Sequence, residues 1–132
     1  MNLPILTANI LTFLTLIGHT FIGDRDLKTI EPENIDSKFY SKLEQWVHAR
    51  AHHYMVSMDF LLATIGLILI NFTDFFQDKS LILQILSIYF LAYSIGFLVS
   101  IIVSKQFPKN YLKLGHWILL IIISGLIYLG AN

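Results

Sequence analysis

Residues Ser41–Thr73, SKLEQWVHARAHHYMVSMDFLLATIGLILINFT, decide how the rest of the chain is read. The stretch opens polar, carries His48, His52 and His53, and from Met55 onward holds a single charged residue, Asp59. No proline interrupts it. Ser41 and Glu44 match a capping box, in which serine and glutamate each satisfy a free backbone donor of the other. A helix from there to Phe72 is roughly 45 Å long at 1.5 Å per residue. That exceeds a hydrocarbon core of about 30 Å. The apolar part therefore predicts a membrane span over about 51–72, with the first two or three turns projecting from it.

Composition points the same way. Of 132 residues, 55% are hydrophobic and 14% charged, against about 25% charged in soluble domains. Formal net charge is zero and no long basic run is present, so nothing suggests a nucleic-acid partner. The absence of cysteine excludes disulfides, thiolate metal sites and cysteine nucleophiles. The length fits one domain, 1–132.

Before Ser41, residues 1–23 carry no Asp, Glu, Lys or Arg, and about 3–22 predicts a first span. A cleaved signal peptide has basic residues ahead of its apolar run and a small-residue cleavage site behind it. Neither is present, so the expectation is a retained helix followed by a polar connector, 24–40. After Thr73, the aromatic-rich 71–80 predicts a hairpin, 81–104 a third span, 105–113 a basic loop with Pro108, and 114–131 a fourth span. Gly66, Gly96, Gly125 and Ala63 are candidate close-approach positions between helices. The fold class is all-α: an integral membrane four-helix bundle.

Lysine and arginine set its orientation. Arg25, Lys28, Lys38, Lys42 and Arg50 precede span two, and Lys105, Lys109 and Lys113 precede span four; the opposite side has only Lys79. Basic short loops stay in the cytoplasm. Both termini are then expected outside, with helix two extended into the cytoplasm, a bacterial inner membrane being the natural setting.

This topology gathers the histidines. His19 ends span one, His48, His52 and His53 begin span two, and His116 begins span four, all toward one face. Glu44, His48, His52, Asp59, Ala63 and Gly66 share one helical stripe, and His53 shares a neighbouring one with Ser57 and Phe60. Counting at 1.5 Å per residue, His19 lies about 5 Å and Asp59 about 12 Å below the cytoplasmic boundary. The expectation is an upper layer of His19 with His52 or His53, and a lower layer in which Asp59 bonds Thr15 or a polar residue of span three. An ionisable residue within a span is a functional candidate by default.

Three chemistries compete. Imidazole and carboxylate suit a transition metal held by some of His19, His48, His52, His53, Asp59 and His116. Haem b needs an axial histidine from each of two helices, His19 with His52 or His53. Titrating His and Asp suit proton or substrate handling. The run His48–His53 also resembles one histidine box of membrane di-iron desaturases, which use several such boxes; one run and five histidines do not supply them. Against all of these stands the reading in which histidines merely sit at the headgroups of a non-enzymatic accessory or assembly subunit. A small transporter titrating Asp59 is the remaining alternative. Expected partners are the lipid bilayer and a second copy of the chain or a larger membrane complex.

Gly18-His19-Thr-Phe-Ile-Gly23-Asp24, His52-His53 and the segment from Pro108 to Trp117 resemble motifs of a family of uncharacterised small bacterial four-helix membrane proteins. In that family a Gly-Glu pair follows the helix-one histidine, and a Trp-His pair opens span two. The resemblance implies the four-helix topology and the importance of His19 and His53. It implies no activity.

Overall fold

The structure is a computed structural model that describes residues 1–32, 40–104, 111 and 114–132, and every regular element among them is helical. Helix α1 runs over Leu3–Thr29. It is α-helical over Leu3–Ile17, widens to a π-helix over Gly18–Gly23 and returns to α over Asp24–Thr29. The helix thus continues past Ile22, the expected end of the span, into the segment expected to be a connector. An i,i+4 ion pair, Lys28 Nζ to Asp24 Oδ2 at 2.9 Å, supports that last segment. It ends two residues before Glu31, which Pro32 biases away from helical geometry.

Helix α2 spans Tyr40–Phe72 without a break. It starts one residue ahead of Ser41, so the expected Ser41–Glu44 capping box does not form its beginning. Its phase is set by a stripe at alternating spacings of four and three: Ser57, Phe60, Thr64 and Leu67 are buried, and His53 heads the stripe half-buried. Glu44, His48 and His52 lie on the exposed side. In the turn after α2, Asp78 caps α3 by accepting from Leu81 N at 3.0 Å. Exposed Asp74 there takes a 2.8 Å bond from Lys79 Nζ, which holds its carboxyl below the usual carboxylate range.

Helix α3 covers Lys79–Val103 and α4 covers His116–Ala131. The helices of α1, α2 and α3 are long and apolar enough to cross a membrane; α4 is apolar but has 16 residues. At 1.5 Å per residue it reaches about 24 Å, so the fourth segment is shorter than the expected 114–131. Gly115 stands at its N-cap, its carbonyl accepting from Ile118 and Leu119. Lys38, Lys105, Pro108, Lys109 and Lys113 lie outside the described residues.

The chain divides into two compact units, Met1–Leu11 with Gly66–Asn132, and Thr12–Ile65. In the first, α3 and α4 are joined by serines. Ser80 donates to Ala131 O (3.0 Å), Ser87 and Ser124 donate to each other's carbonyls (3.0 and 2.8 Å), and Ser94 donates to Trp117 O (2.8 Å). Ser80, Ser87 and Ser94 recur every seven residues, and so do Trp117, Ser124 and Ala131 in the opposite sense. Two turns of helix separate each rung from the next, so the antiparallel pair keeps one seam throughout.

The glycines expected to let helices approach do not do so. A Cβ on Gly66, Gly96 or Gly125 would meet open space, whereas one on Gly130 would collide with Ile5. Between α3 and α4 close approach is marked by serine, whose hydroxyl needs a carbonyl within bonding distance; Ser87, Ser94 and Ser124 are buried, and Ser80 at the end of the seam is exposed.

Candidate functional site

The second unit, Thr12–Ile65, holds the residues with the most chemistry. The π-helical segment places them: its hydrogen bonds connect residues five apart, which brings His19 and Asp24 toward one face, the face that meets α2. His19 Nε2 lies 3.2 Å from the carbonyl oxygen of His53, which can only accept, so Nε2 carries the proton. The two imidazoles pack at 4.2 Å between centroids, tilted by 32°, and Phe60 closes one side edge-on to His19 at 5.8 Å. Gly23 makes room for this pair. A Cβ there would collide with His53 Cε1 and lie 3.1 Å from its Nδ1 and 3.3 Å from its Nε2. His53 Nε2 is buried without a hydrogen-bond partner.

One turn further out is a node absent from the sequence reading. Asp24 Oδ1 accepts from the Tyr54 hydroxyl (2.8 Å) and from Arg50 Nη2 (3.3 Å), while its other oxygen faces Lys28. The Arg50 guanidinium lies 5.1 Å from the Trp46 ring and 5.7 Å from the Tyr54 ring. Trp46 Nε1 donates to Leu27 O at 2.9 Å. Asp24 stands beyond the uncharged run of α1. The Lys28 ammonium first, then the Tyr54 hydroxyl and the Arg50 charge, hold its carboxyl below the usual range. The signal for this node was present as Trp46, Arg50 and Tyr54 at i, i+4 and i+8, an aromatic–cation–aromatic stripe. Asp24, which it grips, belongs to a stretch expected to be connector.

No family model matches the chain, and neither a curated protein nor a solved structure matches it.

The structure sorts the candidate ligands. His19 and His53 come together; of the two histidines open to that role, helical phase turns His53 toward α1 and His52 outward. His48 and His52 are exposed on α2, and His52 Nδ1 is 2.7 Å from His48 O. Asp59 is half-buried on α2. His116 belongs to the other unit, at the start of α4 with its ring 5.5 Å from Phe97. Among the described residues, no group of three or more His, Asp or Glu is placed to hold a metal ion.

Nor do His19 and His53 present themselves as haem axial ligands. Such ligands approach iron end-on from opposite faces of the macrocycle. Here the rings lie against each other, and His19 Nε2 is turned to a backbone carbonyl.

Proposed function

We propose that this is a small integral membrane protein acting as a non-catalytic accessory or assembly subunit. Its helices cross the bilayer with both ends of the chain outside, and the first turns of α2 stand on the cytoplasmic side as a displayed surface. The observation that carries this reading is the direction of the polar side chains in the second unit. His19, Trp46, Arg50 and Tyr54 each aim a donor at the partner helix, from α1 to α2 or from α2 to α1. Groups used in this way fix one helix on another, and exposed His48 and His52 take no part in that packing. The eight-to-one lysine and arginine asymmetry supports the orientation.

Two measurements test the proposal. Because the chain has no cysteine, single cysteines report topology without background. Asn2→Cys, Gln77→Cys and Asn132→Cys should react with an impermeant maleimide in intact cells, and Asn34→Cys and Lys109→Cys only after lysis. The reverse pattern inverts the assignment of sides. For the accessory role, detergent-purified protein should show no Soret absorption and no metal that survives dialysis against chelator. A retained haem or metal lost on His19→Ala or His53→Ala overturns it in favour of a cofactor site at that pair.

A further inference from the structure

We infer that the exposed pair His48 and His52 on α2 is a chelating site for one divalent first-row transition-metal ion. The inference does not depend on the accessory role or on the inner pair His19 and His53.

Three features of the structure carry it. The two residues are four apart on an unbroken helix, Tyr40–Phe72, so their Cβ atoms are on the order of 5–6 Å apart on one face. Both side chains are exposed, so a hydrated ion can reach them. The third feature is the 2.7 Å contact from His52 Nδ1 to the backbone oxygen of His48. A carbonyl only accepts, so Nδ1 carries the proton, which leaves Nε2 as the nitrogen able to bind a metal. Metal-bound histidines are usually oriented in this way, with the non-ligating nitrogen donating to a carbonyl or carboxylate. The same bond leans the His52 ring back over the preceding turn, toward His48.

Imidazole nitrogens bind zinc at about 2.0–2.1 Å, within reach of two rings on one helical face. Among the described residues no third His, Asp or Glu joins them, so the ion takes two protein ligands and completes its shell with water. Such a site is open and exchangeable, unlike a closed structural one. Affinity should follow the usual order, with copper(II) ahead of nickel(II) and zinc(II). His53, one residue on, contributes nothing, because its Nε2 is buried against Gly23.

The test is calorimetric titration of full-length, tag-free protein in detergent with zinc chloride. Wild type should bind one equivalent. His48→Ala and His52→Ala should each weaken binding on the order of 100-fold, since a second tethered ligand adds that much through its effective concentration. His19→Ala and His53→Ala should leave the affinity unchanged. Replacing exposed helical histidines with alanine does not threaten folding, and circular dichroism of each variant confirms that. The inference is overturned by absence of zinc binding in wild type, by binding that survives His48→Ala with His52→Ala, or by binding lost in His19→Ala or His53→Ala. Zinc should also raise the unfolding temperature of wild type and not of the two outer variants, because a ligand bound only by the folded helix stabilises it.

Discussion

Between α3 and α4 the polar contacts are serine hydroxyls bonded to backbone carbonyls, whereas between α1 and α2 they come from an imidazole, an indole, a guanidinium and a phenol. The first kind is small and neutral. It can be repeated every two turns along an apolar seam, and each rung works only if the backbones are close. The second kind is large and partly charged, and it is confined to the end of the uncharged run, where Asp24, Lys28 and Arg50 keep some exposure to water. In a low-dielectric interior a charge is costly unless paired, so the Asp24, Lys28 and Arg50 charges sit where helices leave the apolar zone, with half-buried Asp59 of α2 as the exception. Function is better sought at the second kind of place than at the first, since titratable groups meet solvent there.

The largest expected effect is at Gly23. Gly23→Ala drives a methyl group into the His53 ring and should cost about 1–3 kcal/mol, as overpacking of a filled site does. Gly96→Ala and Gly125→Ala, whose surroundings are open, should instead stabilise by roughly 0.5–1 kcal/mol through the better helix propensity of alanine. Thermal unfolding in one detergent measures all three. Equal behaviour of Gly23→Ala and Gly96→Ala would show that no imidazole occupies the Gly23 surface.

Next comes the serine seam. A double-mutant cycle of Ser87→Ala and Ser124→Ala should give a coupling of about 0.6 kcal/mol, and at most about 1.7, the range found for hydrogen bonds between membrane helices. A coupling of zero would mean that the hydroxyls bond their own helices, as Thr64 does with Phe60 O at 2.8 Å.

The smallest effect belongs to the ionic node. Asp24→Asn should lower stability slightly at neutral pH, and added salt should shrink the difference, as expected for a partly exposed pair. Its pH dependence is distinctive. The folded-state carboxyl is held below its ordinary value, so its contribution is complete above about pH 4, the unfolded-state range. It is lost as pH falls through the lowered folded-state value. In Asp24→Asn that part of the acid transition should vanish, whereas Asp59→Asn should leave it in place.

Sequence by itself determined the helical class, the boundaries of the long apolar helices α1, α2 and α3 to within a turn at most of their ends, and the residues most worth watching. These follow from one-dimensional quantities: apolar run length against bilayer thickness, and the positions of charge. Sequence could also have shown the seven-residue recurrence of Ser80, Ser87 and Ser94, since a period is visible before its partner is known. Three matters were left to tertiary structure. Whether His52 or His53 faces α1 depends on a rotation of 100° between neighbours, and only the packing of Ser57, Phe60 and Thr64 sets that phase. Which small residues carry close approach depends on the opposing surface, so Gly96 and Gly125 looked like contact points and are not. The pairing of Asp24 with Arg50 and Tyr54 required α1 to continue through a π-helical segment, a change of winding that no hydropathy pattern records because it alters backbone hydrogen bonding and leaves polarity untouched.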